Sequence, residues 1–175
     1  MNERFEYSKL VFDGTIVKGY EVGVRMDDGK VVRRDYFHYG GAAVILPVRD
    51  DGSIVMIRNY RFAVEEHLLE LPAGMLAEGE PPEICAAREL TEETGYKARK
   101  VEKLGQFYTG PGTSDQVLHS FLATGLTEGT QDLEEYERIT VESFPQDQVR
   151  RMIAGGEIHD AKTITTLSLY WLREQ

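Results

Sequence analysis

One cysteine, Cys85, stands in a chain of 175 residues, so an internal disulfide is excluded and a reducing compartment such as the cytoplasm is expected. Basic residues are outnumbered: 20 Lys and Arg against 30 Asp and Glu, a formal charge of −10. That balance speaks against capture of nucleic acid or of an anionic membrane, and it leaves a negatively charged substrate needing local cations. No apolar run approaches the length of a membrane-spanning helix. The opening MNERFEYSKL lacks the apolar stretch of an export signal. There is no internal repeat, no Walker loop and no G-x-G-x-x-G after a strand, so kinase and dinucleotide-binding readings have no support. His38, His67, His119 and His159 are scattered without metal-ligand spacing and read as structural or surface residues.

What is present is one dense run, GMLAEGEPPEICAARELTEETGY, from Gly74 to Tyr96. Its pattern is G-x5-E-x7-R-E-L-x-E-E-x-G-Y. A chance match at its seven Gly, Glu and Arg positions has a probability on the order of one in a hundred million per window. Pro81-Pro82 marks a helix start and Gly95 a left-handed stop, which predicts a helix over 82–94. Ile84, Ala86, Ala87 and Leu90 supply the face to bury. Glu89, Glu92 and Glu93 follow i, i+3, i+4 spacing and share one sector. Their mutual repulsion would be relieved by a divalent cation. A hard ion such as Mg²⁺ takes a few carboxylates and completes its shell with water and phosphate oxygens. Arg88 is suited to hold a carboxylate such as Glu80 by paired hydrogen bonds. Cys85 reads as a plain helix residue, since no histidine lies near it in sequence.

This run resembles the signature of the Nudix hydrolases, with every fixed position filled by Gly74, Glu80, Arg88, Glu89, Leu90, Glu92, Glu93, Gly95 and Tyr96. The resemblance implies metal ligation by Glu89 and Glu93, with Glu92 a further ligand or a partner of a metal-bound water. It also implies a backbone ligand from the carbonyl of Ala73. Mg²⁺ is the expected ion, with Mn²⁺ and Zn²⁺ as alternatives.

Along the chain, EVGVRM, the turn DDGK and VVRRDYF read as a hairpin. Strands are expected in 40–48, in SIVMIRNYRF, in LLELPAG, and in 100–110, 117–126 and 138–144. Helices are expected after Pro145 and from Asp160. The pattern is an α/β or α+β layered fold with a mixed sheet. The resemblance sharpens it to a Nudix-type α/β/α sandwich over 38–175, with residues 1–37 as an N-terminal β extension.

Pro111, sixteen residues beyond Gly95, is similar in placement to the mark of the ADP-ribose pyrophosphatase subgroup. RNYRF, LEEYERITV and GGEIHDAKTI agree. The implied reaction is metal-dependent hydrolysis of ADP-ribose to AMP and ribose 5-phosphate. The implied general base lies in the loop Asp132 to Glu137: Glu135, with Glu137 next, acting beside Glu92 and Arg88. Arg61, Pro111, Asp115 and Gln116 are the expected substrate contacts, although similar proteins often carry glutamate near Gln116, and here Asp115 is its adjacent stand-in. Tyr60 and Phe62 are expected to stack on adenine or to pack, at least one of them in the core. The subgroup's habits further imply a homodimer built through the N-terminal strands. The alternatives are a pyrophosphatase for another nucleotide sugar such as GDP-mannose, and a non-catalytic ADP-ribose sensor. The absence of SQPWPFPxS disfavours NADH.

Overall fold

The computed structural model describes residues 5–133, 135 and 137–173, so Glu134 and Tyr136 of the acidic loop lie outside it. The chain divides into two compact units, Met1–Gly41 with Tyr108–Val117, and Ala42–Phe107 with Leu118–Gln175.

The first unit is an antiparallel sheet of β1 (Tyr7–Asp13), β2 (Val17–Arg25) and β3 (Val31–Tyr39), in that order. The expected hairpin is present, running unbroken from Arg25 opposite Val31 to Val17 opposite Tyr39. Gly29 closes its turn at φ +83, a conformation that costs glycine little. The segment around Pro111 packs along β3, where the Phe37 N–H donates to the Thr113 carbonyl at 2.7 Å. Nothing in the sequence pattern announces that pairing.

The second unit is built on β4 (Ala42–Pro47), whose six residues are all buried. It pairs antiparallel with β7 (Ala73–Met75) and parallel with β9 (Val117–Thr127), and β9 carries β8 (Lys97–Tyr108) on its far edge. The expected mixed sheet is therefore real, but β5 (Ile54–Arg61), β6 (Glu66–Glu70) and β10 (Ile139–Phe144) form a separate antiparallel sheet in the order β10-β5-β6. Strand alternation assigns the two faces of β4. Ala43 and Ile45 pack with Cys85, Ala86 and Leu90 of α1 (Pro82–Thr94), joined by Phe121 and Ala123 of β9. Ala42, Val44 and Leu46 pack the other way, with Val149 and Met152 of α2 (Gln146–Ala154) and Leu167 and Tyr170 of α3 (Ala161–Arg173). Helices thus cover both faces of the mixed sheet. None of the described helices is long and apolar enough to cross a membrane.

Helix α1 keeps the expected bounds. Pro82 opens it, and Gly95 ends it at φ +76 with its N–H on the Thr91 carbonyl. One packing expectation fails: Ile84 is 56% exposed, and Cys85 takes the buried position instead. A turn of 100° per residue puts 86, 90 and 93 in line toward the sheet, and 85 is closer to that line than 84.

Candidate active site

Helix α1 and β7 converge on the acidic cluster. Gly74 lies so close to Glu89 that a Cβ added there would overlap the carboxylate, so a larger residue in β7 would push the Glu89 side chain from its place. The guanidinium of Arg88 organises the near side. It forks onto Glu80 with two bonds of 3.0 Å and donates to Glu89 at 2.6 Å and Glu92 at 2.8 Å. Those bonds, first among them the Arg88 pair, hold the Glu80 carboxyl down at about 2 and drive the Arg88 pKa up. The expected Arg88–Glu80 pairing is thus the one observed. Cys85 is fully buried and its thiol is pushed up to about 12 by burial, which is the chemistry of a packing residue and not of a nucleophile.

Glu93 is different in kind. Its residue is 3% exposed, and its carboxylate accepts the Ala73 N–H at 2.8 Å. Burial pushes its pKa up to about 8; repulsion from Glu89 and Glu137 adds to that, and the Ala73 bond and Arg61 oppose it. Glu89 is also raised, by burial first, against the pull of Arg88 and with added repulsion from Glu92 and Glu137. The structure therefore brings Glu137 into the field of Glu89 and Glu93. Glu135 is exposed, and Arg138 Nη1 holds the carbonyls of both loop residues at 3.2 and 2.9 Å.

Arg61 lies within electrostatic range of Glu93 and forks onto Glu70 at 2.9 and 2.6 Å. Lys162 reaches the same Glu70 oxygen at 2.5 Å and Asp160 at 3.1 Å. Glu70 is 1% exposed, so one buried carboxylate holds two cations. Sequence reasoning missed Glu70 and Lys162 as a pair; they belong to the short stretches ELPAG and DAKTI, which lie 92 residues apart. Tyr60 and Phe62 reverse the core expectation: they are 46% and 81% exposed, beyond the last buried residue of β5. Tyr60 rests on His67, with ring centroids 5.1 Å apart.

In the other unit, Asp115 has three partners. It accepts a short bond from the Tyr36 hydroxyl, contacts His38 Nδ1 at 2.6 Å and accepts the Tyr39 N–H at 3.1 Å. Burial raises its carboxyl, but those three bonds outweigh it and hold the pKa below the ordinary value. Gln116 pairs with Thr109 Oγ1 at 2.9 Å, and Pro111 starts the turn before them.

A buried carboxylate pushed toward neutrality beside two others is a poor arrangement on its own and a good one for a hard cation. Among the described residues no three His, Cys, Asp or Glu side chains close into a cage by themselves. Water and phosphate oxygens would complete the shell, as they do for Mg²⁺-like ions. The family model for the NUDIX domain matches residues 38–167. The chain belongs to the Nudix family. This Nudix hydrolase is 35% identical over 176 residues to the ADP-ribose pyrophosphatase of Bacillus subtilis (strain 168), covering 99% of this chain and 95% of that one. It is 36% identical to the GDP-mannose pyrophosphatase of Cronobacter sakazakii (strain ATCC BAA-894), covering 83% and 82%. A crystal structure of an ADP compounds hydrolase superposes with a TM-score of 0.84 at 23% identity, covering 98% of this chain and 94% of that one, and so shares its fold. Nudix hydrolases generally use divalent metal ions, which the oxygen-donor set here suits.

Proposed function

We propose that this Nudix hydrolase cleaves the diphosphate of ADP-ribose, giving AMP and ribose 5-phosphate. The observation that carries the reading is the buried Glu93 carboxylate, poised at the meeting of β7 and α1 within the field of Glu89 and Glu137. Glu89, Glu93, Glu92 and the carbonyl of Ala73 would hold Mg²⁺, or Mn²⁺ or Zn²⁺ in its place. The bound ion supplies charge neutralisation for the diphosphate and a lowered pKa for a coordinated water. Arg88 ties Glu80, Glu89 and Glu92 together through one guanidinium. A loop carboxylate takes the proton as water attacks phosphorus. Glu137 fits that role better than Glu135, because it already faces Glu89 and Glu93 electrostatically. Arg61, beside Glu93, adds positive charge for the phosphates.

A second reading, another nucleotide sugar such as GDP-mannose, is favoured by one observation. Asp115, the stand-in for the glutamate that similar proteins carry, bonds Tyr36, His38 and Tyr39 instead of standing free. Hydrolysis of ADP-ribose, ADP-glucose and GDP-mannose with Mg²⁺ separates the two. ADP-ribose is expected to give AMP with the highest kcat/KM; a faster GDP-mannose reaction reverses the assignment. Binding of ADP-ribose with no cleavage would make the protein a sensor.

A homodimer through the N-terminal sheet completes the proposal. Strand β1 exposes Leu10, Val11 and Phe12 in succession, an apolar edge that a lone chain leaves in water. Sedimentation equilibrium is expected to give twice the 19.8 kDa chain mass, and a monomer at micromolar concentration contradicts it. The free, buried Cys85 fits the reducing cytoplasm as its location.

A further inference from the structure

The end of an α-helix leaves its last carbonyls without partners. In α1 two of these belong to Glu92 and Glu93, and one segment from much later in the chain satisfies both. The Gln131 side-chain amide donates to the Glu93 carbonyl at 2.7 Å, and the Asp132 N–H donates to the Glu92 carbonyl at 2.9 Å. Just before this, two glycines cross in backbone contact. A Cβ on Gly129 would stand 2.7 Å from the Gly95 carbonyl oxygen, and one on Gly95 would stand 2.9 Å from that of Gly129. The helix that carries the candidate metal ligands is therefore clamped to the start of the acidic loop. Five residues after Asp132 comes Glu137, and β10 then enters the sheet with Ile139 opposite Asn59. Those two anchors bracket Glu137 in the chain.

We propose that Gln131 is a positioning residue for hydrolysis: its amide ties the acidic loop to the carbonyl of Glu93 and so holds Glu137 in reach of the reacting water. This rests on the hydrolase reading above, in which Glu137 is the base. In this role Gln131 acts through the loop and not on substrate or metal. Its effect is that the base and the ligand helix move as one body, so that an error of about 1 Å, which can cost about a hundredfold in rate, is prevented.

The test uses the full chain with Mg²⁺ and the substrate that the wild type cleaves fastest. Gln131→Met keeps the length and removes the donor; Gln131→Lys restores a donor. For Gln131→Met, kcat is expected to fall by about ten- to a hundredfold, with KM within about twofold. Amide hydrogen exchange at Asp132 is expected to accelerate, with exchange in the middle of α1 unchanged. Gln131→Lys is expected to recover most of kcat and the Asp132 protection. In a Glu137→Gln background, Gln131→Met is expected to have no further effect on kcat, because both act through one group. Unchanged kcat in Gln131→Met, a loss confined to KM, or full additivity with Glu137→Gln would each overturn the positioning role while leaving the hydrolase intact. An inactive wild type with a protected Asp132 amide would instead sink the hydrolase reading, and the role of Gln131 with it.

Discussion

Glu93→Gln is expected to do two opposite things: abolish hydrolysis and stabilise the metal-free protein above neutral pH. The folded-state pKa of Glu93 is about 8, against an ordinary glutamate value of 4.5. Between those values the folded chain holds a proton that the unfolded chain has released. Stability therefore falls as pH rises from 4.5 to about 8 and levels off above. The full linkage is of the order of a few kcal/mol for a shift of this size. Glutamine carries no such penalty, and its amide oxygen can still accept the Ala73 N–H that the carboxylate accepts now. In EDTA, thermal midpoints measured from pH 5 to 9 should decline more steeply for wild type than for the variant; parallel profiles would refute the buried-charge account. With a divalent ion added, the order reverses. Wild type gains stability by mass action, and the variant gains little. Its rate should fall at least about a hundredfold, since loss of even an outer partner of a metal ligand costs ten- to a hundredfold.

The second large effect is on stability. Glu70 is 1% exposed and holds Arg61 and Lys162 together. Glu70→Ala leaves two cations facing each other with their shared partner gone. Breaking a buried pair in this way costs about 3–5 kcal/mol. The lower end, about 3 kcal/mol, is expected here because Arg61 reaches solvent with 40% of its side chain and can rehydrate, whereas Lys162 at 16% cannot easily do so. The comparison is Glu142→Ala, which removes the more open Arg58–Glu142 pair at 2.8 Å and should cost under about 1 kcal/mol. Urea unfolding of both variants measures the difference. Equal costs would mean that burial of Glu70 contributes nothing to the strength of its pairs.

Much of the catalytic helix is legible in the amino-acid order, because its determinants are local. A proline that starts a helix, a glycine that can turn left-handed, and carboxylates at i, i+3 and i+4 act within a few residues of one another, and α1 runs from Pro82 to Thr94 as those signals require. The hairpin from Arg25 to Val31 is legible for the same reason. The chemistry follows too, since oxygen donors in that spacing suit a hard divalent ion. Errors arise where a side chain's fate depends on distant chain. Ile84, Tyr60 and Phe62 are apolar residues next to buried strands and helices, yet the register of the packing leaves all three in water.

The amino-acid order alone therefore determined the family signature, the helix that bears it, the reaction class and the acidic, single-cysteine character of the chain. The tertiary structure decided which glutamate is buried enough to have its pKa pushed up to about 8, that the charge of Glu137 reaches it, that Glu70 joins Arg61 to Lys162, that Asp115 bonds Tyr36, His38 and Tyr39, and that Gln131 ties the acidic loop to α1. The division is physical. Backbone propensity and spacing are properties of neighbours in sequence, whereas desolvation and charge pairing are properties of neighbours in space, and those are set only once the sheets and helices have closed around them.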